Sequence, residues 1–142
     1  MIKRKILVPL DSSPISAQTV KSLVDLKDKL TFPLTLLHVL DLNTLSYRGF
    51  AEMSFVEIER RAREKAQQFI SDQQKIFADA GMTAETVFKE GRIGETICAV
   101  ADSGEYHLLV IGRTPAEEKR RQPFGLIANE IIHQVKCPVL VV

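Results

Sequence analysis

His107-Leu-Leu-Val-Ile-Gly112, then twelve residues, then Gly125-Leu126, closing on Cys137-Pro-Val-Leu-Val-Val142, is the stretch that decides the fold. An apolar run ending on glycine, a loop, a second glycine and a helix is how α/β proteins often cradle a phosphate. Backbone N–H groups and the positive end of the helix both face the anion. In this chain Pro115 and Leu126 stand where a phosphate-gripping loop would place donors.

Working outward, Tyr106 to Ile111 reads as a fourth strand and Val139 to Val142 as a fifth. Gly125 or Leu126 opens a last helix with the stripe Ile127, Ile131 and Val135. Near the start, Ile6-Leu-Val-Pro-Leu10 is a short apolar run ended by Asp11-Ser-Ser-Pro14. Ser13 is placed to cap the following helix and Pro14 suits its first position. That helix is expected to reach about Leu30, with Ala17, Val20, Leu23, Val24 and Leu30 on one side. Leu34 to Leu40 is apolar on both faces, as a buried parallel strand should be. A loop from Asp41 to about Met53 follows.

The second helix is the clearest element. Phe55, Ile58, Ala62, Ala66, Phe69, Ile70, Ile76 and Phe77 keep a 3.6-residue period, charged residues fill the remaining positions, and Gly81 ends it. Thr83 to Lys89 makes a third strand and Ile93 to about Ser103 a third helix. Strands alternating with helices imply a parallel sheet with right-handed crossovers and helices on both faces. With no repeat, linker or low-complexity tract, residues 1–142 read as a single domain.

Composition narrows the function. The formal net charge is only +1, with both signs interspersed, whereas a general nucleic-acid binder carries a marked basic excess. No apolar run reaches membrane-spanning length, and Met1-Ile-Lys-Arg-Lys-Ile-Leu-Val8 enters a strand without a signal-peptide pattern. A cytoplasmic protein with no nucleic-acid or membrane partner is expected. Cys98 and Cys137 lie in different elements and read as buried free thiols.

Open parallel sheets bind ligands beyond the carboxyl ends of their strands, where the winding direction reverses. The loops after strands one, two and four are therefore the candidates, and the unusual residues collect at Asp11-Ser12-Ser13 and from Gly112 onward. Asp11 reads either as a ribose or metal ligand or as a cap on the next helix. Asp41 reads as a loop acid, because no G-x-G-x-x-G follows strand one. His38 is expected to be a hydrogen-bonded core residue, His107 a strand-start surface residue and His133 solvated; the three share no metal-ligand spacing. Ser12 and Ser13 lack a nucleophile elbow, and Lys119-Arg-Arg121 reads as loop charge.

Taken in order along the chain, these segments resemble the universal stress protein family. The resemblance rests on Ile6 to Asp11 with Ser13, on Leu36-Leu-His-Val39, on Gly91-Arg-Ile-Gly-Glu-Thr-Ile97 and on Cys137 to Val142. It implies a five-stranded parallel sheet in the order 3-2-1-4-5, adenine nucleotide alpha hydrolase-like and Rossmann-like, and a homodimer. It also implies a nucleotide site of Pro9, Asp11, Ser12, Val39, Gly112, Arg113, Gly125 and Leu126. Asp11 would contact the sugar or base, the backbone near Val39 would read the adenine edge, and Gly112 and Gly125 would let the backbone approach phosphates. ATP-binding members space glycine, two residues, glycine, nine residues, glycine and then serine or threonine. Here the spacing falls on Gly112, Pro115, Gly125 and Leu126, so two of the four positions match.

Proline has no N–H and leucine no hydroxyl. Hydrogen bonds to charged groups contribute roughly 1.5–3 kcal/mol each, so losing two costs roughly 3–6 kcal/mol. A micromolar site then falls to about millimolar. Glu117 and Glu118 oppose the rescue that Arg113, Lys119, Arg120 and Arg121 offer. ATP, ADP or AMP are thus expected to bind weakly, in a regulatory or stress-response protein with no catalytic residue and no metal.

The alternative is an ATP-binding member with slow hydrolysis or autophosphorylation. A phosphotransfer receiver is disfavoured, because strand three ends Phe88-Lys-Glu-Gly91 without an aspartate. A nucleotidyl transferase would need more than Asp11 in the first loop, and the chain has no Walker loop. The apolar last strand, if at the sheet edge, invites pairing with a second copy, so the homodimer is expected to form through it.

Overall fold

In a computed structural model, residues 4–45, 53–114 and 124–142 are described. Five strands, β1 (Lys5–Pro9), β2 (Leu34–Leu40), β3 (Ala84–Glu90), β4 (Tyr106–Ile111) and β5 (Val139–Val141), form one sheet. Its order is β3-β2-β1-β4-β5, and every pairing is parallel. Four helices join them: α1 (Pro14–Asp25), α2 (Phe55–Asp79), α3 (Ile93–Ala101) and α4 (Leu126–Gln134).

Side chains alternate along a strand, so the sheet builds two cores. Ile6 and Val8 of β1 join Leu34, Leu36 and Val110 beneath Val20, Leu23, Ile70 and Phe77 of α1 and α2. Leu7 between them faces the other way and meets Leu37, Leu109 and Ile111 beneath Ile97, Ala101 and Ile131 of α3 and α4. Burial on both faces explains why β1 and β2 read as largely apolar runs rather than alternating ones.

The termini follow local chemistry. Ser13 caps α1, its hydroxyl accepting the Ser16 N–H at 3.3 Å, with Pro14 in the first turn. Gly81, at φ +81°, closes α2. The Gly81 and Met82 amides donate to Ala78 and Phe77 carbonyls, a paired cap that needs a left-handed residue.

Several expected boundaries shift. α1 stops at Asp25 rather than near Leu30, and turns bonded to the Leu26 carbonyl carry Leu30 back onto the core. Its buried face includes Thr19, not Ala17, because Thr19 satisfies its own hydroxyl on the Ile15 carbonyl at 2.8 Å. The loop after β2 contains a 3-10 turn, Leu42–Thr44, that Asp41 caps. α3 ends at Ala101, and β3 is displaced by one residue to Ala84–Glu90.

Phe55 begins α2 yet is 68% exposed. A 25-residue helix spans roughly 37 Å against roughly 23 Å for a seven-residue strand, so its first turn overhangs the sheet. Ile76 lies on the flank of that helix and is exposed too. In α4 only Ile131 of the expected stripe is buried: Ile127 is exposed, and Val135 is the residue that ends the helix.

Candidate ligand-binding site

From β1 the chain winds outward to β2 and β3, then crosses back to β4 on the opposite side. The loops leaving β1 and β4 therefore part, and a cavity of about 400 Å³ opens between them at the carboxyl edge of the sheet. Of the eight residues expected at the site, Pro9, Asp11, Val39, Gly112, Gly125 and Leu126 line it. Ser12 and Arg113 are not among the lining residues, and Pro115 and Lys119-Arg-Arg121 fall outside the described residues. The walls are aliphatic, supplied by Leu37, Ile93, Ile97, Ile111 and Ile131. Ile93 and Ile97 were not singled out in the sequence; their i, i+4 spacing on α3 is the signal that could have found them.

Asp11, Ser13 and Ser16 make the polar rim. The Asp11 carboxylate accepts the Ser13 N–H at 2.8 Å and the Ser16 hydroxyl at 2.9 Å, both on Oδ1. In return the Asp11 N–H donates to Ser16 Oγ at 2.9 Å. Burial pushes this carboxyl up, but the bonds from Ser13 and Ser16 and the nearby His38 outweigh it, holding Asp11 below the ordinary aspartate range. Of the two readings of Asp11, the cap is what these bonds show: Oδ1 organises the start of α1, and the residue also lines the cavity.

Val39 turns its peptide groups toward the cavity. The Leu40 carbonyl accepts the Gly91 N–H on the β3 side, and the Leu37 carbonyl accepts the Leu10 N–H on the β1 side. Alternation then directs the N–H and C=O of Val39 toward β1, beyond the point where β1 has ended.

The two glycines differ. A Cβ at Gly112 would overlap Thr19 Oγ1 and lie 2.9 Å from Ile15 Cγ2 and 3.3 Å from the Ile15 carbonyl. Gly112 therefore has a packing reason of its own, the close passage of α1 over the end of β4. Gly125 has nothing within 4 Å of such an atom and serves as N-cap of α4 without a side-chain bond. Next to it Leu126 is 87% exposed at the mouth. The Arg113 N–H donates to the Val142 carbonyl at 3.0 Å, continuing the β4–β5 ladder, and so faces away from any ligand.

The remaining polar residues hold the structure together. His38 Nδ1 donates to the Leu10 carbonyl at 2.8 Å, with its ring 4.8 Å from that of Phe69, as a core histidine should. His107 Nδ1 lies 3.1 Å from the Lys5 carbonyl, and its ring meets Phe32 edge-on; His133 is exposed. Among the described residues no group of three His, Cys, Asp or Glu could hold a metal ion. Burial, with Asp102 nearby, raises the thiols of Cys98 and Cys137, both free. Asp102 itself went unread in the sequence. Its carboxylate accepts the Lys136 and Cys137 N–H groups at 2.9–3.2 Å, tying the end of α3 to the approach of β5.

A doubly wound parallel sheet with an apolar cavity at its switch point defines an α/β protein of Rossmann-like fold. The model of the Universal stress protein family matches residues 3–142, and the chain belongs to that family. A universal stress protein of Methanocaldococcus jannaschii is 26% identical over 140 residues, covering 98% of this chain and 81% of that protein. Among solved structures, the universal stress protein UspA from Lactobacillus plantarum superposes with a TM-score of 0.76 at 22% identity, over 100% of this chain and 99% of that one. A universal stress protein from Archaeoglobus fulgidus, solved in complex with dAMP, gives 0.65 at 20% identity, over 99% and 98%.

Proposed function

We propose that this protein is a regulatory, stress-response member of its family, acting as a cytoplasmic homodimer joined through β5. It binds adenine nucleotide (ATP, ADP or AMP) weakly and does not act through rapid catalysis. The observation that carries the reading is the cavity that gathers Pro9, Asp11, Val39, Gly112, Gly125 and Leu126 at the switch point. The dAMP complex of the Archaeoglobus relative supports an adenylate as the kind of ligand.

The base and sugar fit what lines the cavity: aliphatic walls, the peptide groups of Val39 and the Asp11 carboxylate. A triphosphate finds little grip among the described residues beyond the uncapped start of α4. No Lys or Arg lines the cavity there, the Arg113 amide is engaged by Val142, and Leu126 offers no hydroxyl. Dimerisation is supported by β5, a three-residue apolar strand at the sheet edge whose Val141 is partly exposed. Among the described residues no helix is long and apolar enough to cross a membrane.

Isothermal titration with ATP, ADP and AMP tests the ligand, with dissociation constants near millimolar expected. Submicromolar ATP affinity would overturn the weak-binding reading. Sedimentation at micromolar protein concentration tests the assembly, and a monomeric mass would refute the dimer.

A further inference from the structure

α3 and α4 pack against each other on one face of the sheet, and both line the cavity. They meet at Gly94 of α3 and Glu130 of α4. Gly94 is buried, and a Cβ there would lie 2.6 Å from Glu130 Oε2, 2.7 Å from its carboxyl carbon and 3.0 Å from Oε1. The carboxylate thus occupies the space that the missing side chain leaves. Burial, Asp102 and then Glu130 raise the Cys98 thiol, which puts the Glu130 charge along the same side of α3, one turn further on.

This seat suits a carboxylate. Gly94 stands in the first turn of α3, where amide N–H groups have no intrahelical acceptor and the helix dipole is positive. The N-cap, Arg92, makes no side-chain bond to them, and its guanidinium pairs instead with Glu95 at 3.2 Å. An acid from the neighbouring helix is therefore drawn to a point that α3 leaves uncapped. Little else holds α4 down. Ile131 is its one buried residue, and Asp102 anchors the Lys136 and Cys137 amides just beyond its end. At its start Gly125 lacks a side-chain cap and Leu126 is 87% exposed.

We infer that Glu130 is a latch: seated on Gly94, it holds α4 closed against α3, and α4 swings about the Asp102 anchor when that seat is lost. Glu130 does not line the cavity, whereas Ile93 beside Gly94 and Ile131 beside Glu130 do. Its role is one of positioning, and it sets how far the α4 wall yields to a ligand. That last consequence rests on the ligand reading above; the latch itself does not.

The test is native-state hydrogen exchange of the full chain, read by mass spectrometry on peptides from α4 and α2. The carboxyl group ends a flexible side chain, so Gly94→Ala displaces it while leaving Tm near that of the parent. Exchange in α4 is expected to quicken about two- to fivefold, the factor that a charge at a helix start contributes, with α2 unchanged. Alanine for glycine within a helix ordinarily stabilises it, so α4 exchange at or below the parent rate would overturn the latch. Glu130→Gln keeps the length and removes the charge; parent-like exchange in this variant would overturn the electrostatic seat. In a Glu130→Ala background, Gly94→Ala meets no carboxylate and should quicken exchange no further. Additive effects would show that the two residues act apart.

Titration with ATP, followed by protein NMR shifts, joins the latch to the cavity. Glu130→Ala is expected to weaken ATP about three- to tenfold, because a looser wall must be ordered on binding. Equal affinity would overturn the link to the cavity. A parent that does not bind ATP at millimolar concentration would overturn the adenylate reading, and the exchange rates would still decide the latch.

Discussion

Replacing Gly112 with alanine places one methyl group where α1 crosses the end of β4. The new atom overlaps Thr19 Oγ1 and crowds Ile15, whose carbonyl is backbone and cannot swing aside. Thr19 is 3% exposed and its hydroxyl already bonds Ile15. Two escapes exist. Thr19 can rotate, leaving a buried hydroxyl unpaired at about 1–3 kcal/mol. Otherwise α1 lifts from the sheet, an overpacking cost of similar size, about 1–3 kcal/mol. For a chain of this length either route lowers Tm by roughly 3–10 °C. Urea unfolding followed by circular dichroism reads the change as a lower midpoint at constant slope. In a Thr19→Ala background the same substitution should cost at least about 1 kcal/mol less, because the obstructing oxygen is gone. A midpoint equal to wild type, or strict additivity in the double variant, would show that Gly112 is not held by packing. Gly125→Ser is the contrast: with open space around it and a vacant cap, it should change stability by a few tenths of a kcal/mol at most, in the favourable direction.

Other outcomes follow from the same contacts. Thr35, 1% exposed, carries a hydroxyl with no partner among the described residues, so Thr35→Val should raise stability by about 1 kcal/mol in urea titration; a loss would reveal an unseen partner. Asp11 titrates below its unfolded value, so its contribution is present above about pH 4 and is lost as pH falls through the folded value. Thermal melts of Asp11→Asn against pH should therefore fall less steeply below about pH 4 than those of the parent, and parallel curves would contradict the hydrogen-bond account. Leu126→Thr puts a hydroxyl at the α4 terminus where an 87% exposed leucine contributes little packing. It should tighten ATP by about tenfold relative to adenosine without lowering Tm, and an unaltered ratio would mean that this position does not face the phosphates.

Much of the fold was legible before any coordinates. The period of Ile58, Ala66, Ile70 and Phe77 marked α2, and the doubly apolar run of Leu34 to Leu40 marked a buried parallel strand. Ser13, Pro14 and Gly81 punctuated helices by chemistry that acts over three or four residues. The strand order came from resemblance to a family, since alternation fixes the kind of sheet but not which strand lies beside which. Helix ends were less legible. α1 stops short of Leu30 because the chain must turn to bring that leucine onto the core, a requirement set by β2 rather than by α1.

At the site, the sequence by itself determined which residue types stand at the ends of strands one and four: an acid, hydroxyls, two glycines and a leucine in place of a donor. Only the tertiary structure decided what each of them does. It brought Thr19 against Gly112, gave the Arg113 amide to Val142, left Gly125 open and turned the peptide groups of Val39 toward the cavity. The physical reason is range. Periodicity and capping are written in neighbouring residues, whereas the closeness of a helix to a strand end depends on how segments far apart in the chain share one core.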